Sequence, residues 1–426
     1  MKKGDWLYQQ YLNILREELR PAMGCTEPIA LALAGAKARA LLGDLPDSVS
    51  VRVSGNIIKN AKSVIVPNTG GLHGIGPAVC AGIVFGDAEK ELQVISGATE
   101  GEQKALHEFL ERVQPDIQPS GSDLTFDIDV TLSRGGETAR LRIVNHHTNL
   151  VYMEKNGKLL RDLPVAESSE DHLTDKSCLT IERIVEFADM VDVEDVKDCV
   201  GRQIQCNMAI CREGLEHPYG AEVGRVLLND HEHITVGLRA RAYAAAGSDA
   251  RMNGCPMPVV INSGSGNQGI TVSVPVVIFA EHHKASREKL LRSLVVANLI
   301  SIHQKKYIGS LSAYCGVTSA ACGAACGICY LLGHPRRVLR DTITNTIATV
   351  GGMVCDGAKS SCAAKIATAL QTALLGMKMG VHNCAFQPGE GLVEEDVEQT
   401  IMNIGRMGRE GMKATDNEIL NIMLGN

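Results

Sequence analysis

The stretch Cys355-Asp356-Gly357-Ala358-Lys359-Ser360-Ser361-Cys362 separates two segments that both have the apolar periodicity of an α-helix. The helical pattern before it covers residues 337–349, and the pattern after it covers residues 363–375. Gly357, and the pair Gly351-Gly352 just ahead of the stretch, allow the backbone to turn sharply. The sequence therefore predicts two helices joined by a loop with a cysteine at each end.

Helical periodicity continues through most of the chain after Ser177, in segments such as 181–190, 193–211, 285–303 and 394–407. Before Ser177, strand and helix patterns alternate. We therefore expect an α+β fold with a mostly helical body and a strand-rich N-terminal region.

The boundaries of the two parts follow from the same patterns. Residues 1–48 and 176–426 are predicted to form a helical catalytic body, to which the first two helices return. Residues 49–175 are predicted to form a strand-rich α/β region that contributes polar loops to the site.

Composition restricts the role of the cysteines. A chain of 426 residues with 45% hydrophobic content can bury a large core without disulfide bonds. Residues 1–20 contain no apolar signal-peptide core, so we expect a cytoplasmic, reducing location. The fourteen cysteines are therefore interpreted as thiols or metal ligands, most of them small buried residues.

Charge argues against two classes of partner. A net charge of −7 without a concentrated basic patch does not suit nucleic acid. No Asp, Glu, Lys or Arg occurs between Tyr307 and Pro335, which is long enough to span a bilayer. That stretch is mostly Ala, Gly, Ser, Thr and Cys, however, so it favours closely packed buried helices over a membrane span.

Three cysteines, Cys315, Cys355 and Cys362, are candidate metal ligands. Three thiolates can hold an iron–sulfur cluster and leave one iron open to a substrate. Cys315 lies beside Gly316 in another turn-like stretch, so the three thiols could meet in space. Spacing alone leaves open whether they are ligands or small buried residues. A fourth thiol, Cys25, could serve as a base.

Two other runs imitate known motifs. Residues 322–329 have a C-x3-C-x2-C spacing, but their cysteines fall on one helical stripe, so we interpret them as core residues. Residues 264–269 satisfy G-x-G-x-x-G. The following residues, 270–280, are β-branched and include Pro275, so we do not expect a helix presenting its N-terminus to a pyrophosphate there.

Histidines occur in three groups, His146-His147, His231-Glu232-His233 and His282-His283. None has the Cys or carboxylate spacing of a zinc framework. Surface or structural roles are predicted for all of them.

Five short motifs are spread over nearly the whole chain: Gly24-Cys25-Thr26-Glu27-Pro28, Ser54-Gly55-Asn56, Pro67-Asn68-Thr69-Gly70-Gly71, Ser263-Gly264-Ser265-Gly266-Asn267-Gln268-Gly269 and Cys355-Asp356-Gly357-Ala358-Lys359. Together they resemble the L-cysteine desulfidase family, relatives of the α-chain of iron–sulfur L-serine dehydratases. The resemblance implies decomposition of L-cysteine to pyruvate, ammonia and hydrogen sulfide without pyridoxal phosphate. It also implies a [4Fe-4S] cluster on Cys315, Cys355 and Cys362, with Cys25 as the base.

The position of Cys25 suits that role. It precedes a predicted helix, with Thr26 as a cap and Pro28 in the first turn. The positive end of the helix is expected to lower the thiol pKa from about 8.5 and so to raise the thiolate fraction. The alternative is an inert thiol packed at the helix start.

Polar glycine-containing loops are expected to complete the site. Ser54-Gly55-Asn56 and Ser265-Gly266-Asn267 repeat one tripeptide after apolar runs. The predicted ligands of the substrate's carboxylate and ammonium groups are Asn56, Asn68, Thr69, Ser263 and Asn267. Such residues are also ordinary turn formers.

Rival functions remain open at this level. L-serine differs from L-cysteine by one atom at the leaving group, so an L-serine dehydratase of the same iron–sulfur type is an alternative. A second alternative is an iron–sulfur sensor without turnover, and a third is a pyridoxal-phosphate lyase using Lys359. The expected partner is a small amino acid, and the sequence leaves open whether the chain forms a homo-oligomer.

Overall fold

The computed structural model describes residues 1–165, 173–229, 233–309 and 312–425. Over these ranges the chain forms sixteen α-helices: α1 (Trp6–Glu18), α2 (Thr26–Leu42), α3 (Gly55–Ala61), α4 (Ile75–Phe85), α5 (Glu100–Arg112), α6 (Ile181–Met190), α7 (Val193–Glu216), α8 (Val223–Asn229), α9 (Val236–Met252), α10 (Gly266–His282), α11 (Arg287–Ile308), α12 (Val317–Leu331), α13 (Arg336–Val350), α14 (Cys362–Val381), α15 (Val397–Arg406) and α16 (Lys413–Leu424). Eight strands accompany them: β1 (Pro21–Met23), β2 (Ser48–Val53), β3 (Asp116–Pro119), β4 (Asp127–Arg134), β5 (Glu137–Val144), β6 (Leu150–Lys155), β7 (Lys158–Asp162) and β8 (Pro258–Val260). The predicted α+β class is confirmed.

Six of the strands form one sheet in the N-terminal half, in the order β3-β2-β4-β5-β6-β7. The β2–β3 pair is parallel and the other pairs are antiparallel. Alternate residues of β4, such as Ile128 and Val130, are fully buried in a core shared with α2 and α4. Hydrogen-bonded ion pairs link β4 to β5, with Arg142 Nε 2.8 Å from Asp127 Oδ1.

The helices from α6 onward form a second core. Its centre is the Ala- and Gly-rich α12, which packs against α10, α11 and α14. The backbones approach closely, since a Cβ at Gly323 would lie 2.4 Å from the carbonyl oxygen of Ala297 on α11. The uncharged stretch 307–335 therefore contains a buried 15-residue helix. Within the described ranges, no helix is both long enough and apolar enough to cross a membrane.

The two N-terminal helices pack in different places. Tyr8 and Tyr11 of α1 pack against Phe187 of α6, with ring centroids 5.4 and 5.1 Å apart, so α1 packs on the helical body. In contrast, α2 packs against α4, β4 and β5 and belongs to the core of the sheet. Helix α2 packs there because its residues are buried on almost all faces, so it fills the space between the sheet and α4. The domain boundaries at 48/49 and 175/176 stay predictions.

Helix α10 corrects one expectation from the sequence. Residues 266–282 are helical despite their β-branched residues and despite Pro275 inside the helix. All residues from Gly266 to Ala280 are buried, and tertiary packing there outweighs helix propensity. The glycine-rich loop therefore does lead into a helix N-terminus.

The short antiparallel ladder between β1 and β8 joins the two halves. It is extended by a hydrogen bond from Ile261 N to Arg20 O of 2.9 Å. Just beyond it, Thr26 Oγ1 donates to Gly264 O at 3.2 Å. The starts of α2 and α10 are thereby held side by side. His231 and Glu232, of the second histidine group, lie outside the described residues.

Candidate active site

A cavity of about 690 Å³ lies where the two halves of the molecule meet. All four cysteines singled out in the sequence line it: Cys25, Cys315, Cys355 and Cys362. The N-terminal half contributes the starts of α2 and the β5–β6 loop, and the helical body contributes the starts of α10, α12 and α14. The structure thus brings Cys25 to the same cavity as three thiols that lie hundreds of residues further along the chain.

Cys315 and Cys355 are held side by side by backbone hydrogen bonds. Cys315 N donates to Met353 O at 2.8 Å, and Cys355 N donates to Ala313 O at 2.6 Å. These bonds flank an antiparallel bridge between Tyr314 and Val354. The two side chains are close enough for the Cys315 thiol to donate a hydrogen bond to the Cys355 sulfur.

Cys362 reaches the same wall from the first residue of α14. The loop that leads to it requires glycine at position 357, which has a φ of +97°. A Cβ at Gly357 would lie 2.2 Å from the carbonyl oxygen of Lys59, so the loop can pack on α3 only without a side chain there. The predicted sharp turn between two helices is confirmed.

Positive charge surrounds these thiols. The hydrogen bond from Cys315 lowers the pKa of Cys355 to about 6, with Lys59 and Lys365 acting in the same direction against burial. The same hydrogen bond, together with burial, raises the pKa of Cys315. Lys305 is buried on the cavity wall, and burial lowers its pKa to about 8 although the two thiols act against this. Burial raises the pKa of Cys362 as well, so Cys355 is the thiol of the three that the site favours as a thiolate.

Four helix N-termini add to this positive potential. Helices α2, α10, α12 and α14 all begin on the cavity wall, and no side chain caps any of the four. The uncapped N–H groups and the helix dipoles favour an anion at this place.

The thiols fit a cluster better than a single ion. Among the residues that the structure describes, no three His, Cys, Asp or Glu side chains are arranged to hold a metal ion. A single ion needs all its ligands within about 2.3 Å of one point, whereas the cysteines of an iron–sulfur cluster surround a larger body. One buried and two half-buried thiols, on a wall that also carries the buried cations Lys59 and Lys305, suit an anionic cluster.

Cys25 is the N-cap residue of α2 and is 2% exposed. Its Sγ lies 3.7 Å from Met252 Sδ, and Cys362 packs against the same small cluster. Burial raises the pKa of Cys25 to about 12, although the Arg251 charge acts in the opposite direction. The expected lowering of this pKa is therefore wrong, because loss of hydration outweighs the Arg251 charge.

The five predicted substrate ligands separate into two groups. Ser263 and Asn267 line the cavity with the cysteines, whereas Asn56, Asn68 and Thr69 do not belong to its wall. Asn68 Nδ2 donates to Ile95 O at 2.9 Å, and Thr69 Oγ1 donates to Val66 O at 2.8 Å, so both hold a turn in place. Asn56 lies in α3 rather than in a loop. Roles for Ser263 and Asn267 stay predictions.

Three further residues on the wall have buried polar atoms without a hydrogen-bond partner: Arg251 Nε, Gln268 Oε1 and His147 Nε2. His147 packs edge-on against Phe126 with ring centroids 4.9 Å apart, and burial lowers its pKa. His146 lines the cavity as well, and the surface or structural role expected for this pair stays a prediction. A charged residue in the Ala-rich end of α9 was the one sequence signal for Arg251.

Comparison with known proteins gives a consistent result. The family model described as "Serine dehydratase alpha chain" matches residues 89–421. A UPF0597 protein of Desulfitobacterium hafniense is 49% identical over 424 residues, which cover 100% of this chain and 98% of that protein. UPF0597 proteins of Treponema denticola and Lachnoclostridium phytofermentans are 44% and 45% identical, over 98% of this chain and 98% and 100% of theirs.

Proposed function

Because the chain belongs to the serine dehydratase alpha-chain family, whose enzymes are iron–sulfur lyases, we propose that it is a [4Fe-4S]-dependent carbon–sulfur lyase. The proposed reaction converts L-cysteine and water to pyruvate, ammonia and hydrogen sulfide, a step of cysteine catabolism. The observation that supports this most strongly is the presence of Cys25, Cys315, Cys355 and Cys362 on one cavity wall.

Cys315, Cys355 and Cys362 would hold the cluster. When bound, a cluster with three cysteine ligands supplies an open iron that acts as a Lewis acid toward the substrate. Lys305 and the uncapped starts of α12 and α14 would balance the negative charge of the thiolates. Lys59 and Lys365 add to this potential, although they also pair with Asp416 and Asp356. The rest of the site must hold the substrate and move a proton.

Cys25 is the proposed base. β-Elimination breaks the Cα–H bond and the Cβ–S bond of L-cysteine, so the proton passes to Cys25 and the sulfur leaves as hydrosulfide. The 2-aminoacrylate that remains takes up water and yields pyruvate and ammonia. Cys25 would have to act as its thiolate, and the Arg251 charge, which lowers the pKa of this thiol against the effect of burial, favours that form.

A reducing compartment, the cytoplasm, is proposed as the location. All fourteen cysteines lie in the described ranges and none forms a disulfide. An open iron–sulfur cluster also requires protection from oxidants.

Iron analysis after anaerobic purification tests the cofactor. About four iron atoms and four acid-labile sulfides per chain are expected, together with release of pyruvate and sulfide from L-cysteine. Ser at position 315, 355 or 362 should abolish iron binding, whereas Cys384→Ser, an exposed cysteine, should not. A chain without iron and sulfide after reconstitution would contradict the proposal.

Cys25→Ser separates the base from the ligands. This variant should keep its iron and lower kcat about 10²- to 10⁴-fold, because only the proton transfer is affected. Loss of iron in Cys25→Ser would instead make Cys25 a ligand.

L-serine is the alternative substrate, and the description of the matching family favours it. The two substrates are compared by kcat/KM for pyruvate formation with one enzyme preparation. We expect the larger value for L-cysteine. A larger kcat/KM for L-serine would show that the enzyme is a dehydratase and not a carbon–sulfur lyase.

A further inference from the structure

Arg251 is a buried cation on the cavity wall, with 3% of its surface exposed. Its Nη1 donates to Asn267 Oδ1 at 3.1 Å, and its Nε has no partner. In the part of the chain that the structure describes, no carboxylate lies within 4.0 Å of its guanidinium. A buried charge without a counter-charge is costly, so this site calls for an anion from outside the chain.

The surroundings of Arg251 favour a carboxylate. A Cβ at Gly266 would lie 2.3 Å from Arg251 Nε, so glycine there leaves the guanidinium its place beside the start of α10. The uncapped first turn of α10 also contains Gln268, whose Oε1 is buried without a partner. A guanidinium beside a free helix N-terminus binds carboxylates through charge-assisted hydrogen bonds.

Glu27 presents the opposite charge to the same cavity. Its carboxylate accepts hydrogen bonds from Asn60 Nδ2 at 3.1 Å and from Thr26 Oγ1 at 3.0 Å. Over the described residues it has no cation within 4.0 Å, and it therefore does not pair with Arg251. An unpaired carboxylate with only neutral donors around it can accept an ammonium group.

Cys25 lies within the electrostatic reach of both charges. Arg251 and Glu27 act on its thiol in opposite directions, and they act on the His147 ring as well. Cys362 packs against the same small cluster as Cys25. The cavity therefore has a cationic point, an anionic point and a thiol near both.

We infer that Arg251 binds the α-carboxylate and Glu27 the α-ammonium group of the substrate, so that the site selects free α-amino acids with both groups unblocked. The two contacts hold the α-carbon beside Cys25 and direct the β-substituent toward Cys315, Cys355 and Cys362. The identity of the amino acid rests on the proposed function. The binding of one carboxylate and one ammonium group does not.

Equilibrium binding of L-alanine tests this inference, because L-alanine has both charged groups and no leaving group. Calorimetry on the anaerobically purified, iron-loaded chain should show that L-alanine binds about 10- to 100-fold more tightly than propionate or ethylamine. Equal affinity for the three ligands in the wild-type chain would overturn the inference without any variant.

Variants then assign each charge. Arg251→Met should weaken the binding of L-alanine about 10- to 100-fold and leave the binding of ethylamine unchanged. Arg251→Lys should have an intermediate effect on L-alanine. Glu27→Gln should weaken the binding of L-alanine by a similar factor and leave the binding of propionate unchanged. Arg239→Met, near the other end of α9, is the matched control and should bind L-alanine normally.

Two results would overturn the assignment. One is wild-type L-alanine affinity in Arg251→Met, and the other is equal weakening of all three ligands, which indicates a structural role. If the charge-specific pattern appears in a chain that does not cleave L-cysteine, the proposed function fails and the zwitterion site stands. If L-cysteine is cleaved and its KM is unchanged in Arg251→Met, the proposed function stands and the zwitterion site fails.

Discussion

At the scale of single residues, the site depends on where a side chain is absent. Gly357 lets the loop between Cys355 and Cys362 lie on the carbonyl of Lys59, and Gly266 leaves space for the Arg251 guanidinium. Both glycines stand next to residues of the proposed site. Because glycine has no side chain, the loop and the guanidinium can take these positions in the cavity wall.

Gly357→Ala and Gly352→Ala make a matched pair that tests this point. Both glycines have positive φ, +97° and +95°, so each substitution introduces strain of about 1–2 kcal/mol. Only at Gly357 would the new Cβ meet backbone, 2.2 Å from Lys59 O, which adds about 1–3 kcal/mol and displaces the loop. The free energy of unfolding, measured in urea, and the iron content should both be lower for Gly357→Ala than for Gly352→Ala. Equal values for the two variants would contradict the packing argument.

At the scale of elements, helices approach each other through small residues. A Cβ at Gly82 of α4 would lie 1.8 Å from Ala32 O of α2, closer than any real contact. The same arrangement recurs between α11 and α12 at Gly323. Close packing of α2 against α4 is what holds the start of α2, with Cys25, in position.

Gly82→Ala should therefore lower the free energy of unfolding by about 1–3 kcal/mol or more, despite the better helix propensity of Ala. Gly101→Ala in α5 is the control, since its Cβ would meet only Thr99 Oγ1 at 3.9 Å. There the substitution should stabilise by up to about 1 kcal/mol, because only propensity changes. Chemical denaturation of both variants measures the difference. Similar behaviour would mean that α2 and α4 can separate at little cost.

At the scale of the whole molecule, the C-terminal helix α16 is tied to the N-terminal half. Asp416 forms an ion pair with Lys59, which is 3% exposed and lines the cavity. Leu420 packs on Gly55 of α3. The last helix of the chain thus supports the same helix that faces the Cys355 thiol.

Asp416→Asn should lower the free energy of unfolding by about 3–5 kcal/mol, because it leaves the buried Lys59 without its partner. The exposed pair Lys104–Glu108, 3.8 Å apart, provides the control, and Glu108→Gln should change stability by less than about 1 kcal/mol. Thermal and urea unfolding measure both. A loss below 1 kcal/mol for Asp416→Asn would show that Lys59 finds another partner on the cavity wall.

Local patterns in the sequence were sufficient for the helices of the body and for the loop between Cys355 and Cys362. Apolar spacing and glycine positions are properties of neighbouring residues, and they determine segments such as Ile181–Met190 without reference to the rest of the chain. Spacing alone left open whether Cys315, Cys355 and Cys362 are ligands, and it was the resemblance of several motifs to a known family that implied the proposed cluster. Helix α10 was the exception, since burial on all sides outweighed its β-branched composition and Pro275.

Tertiary structure alone decided which residues meet and what charge they carry. The Tyr314–Val354 bridge sets Cys315 beside Cys355, and the β1–β8 ladder sets Cys25 beside the loop at Gly264, across distances that no local pattern encodes. Burial then raised the pKa of Cys25, brought His147 into the cavity and left Arg251 without a counter-charge. Hydration and electrostatics depend on everything that surrounds a group, so they are known only once the chain is folded.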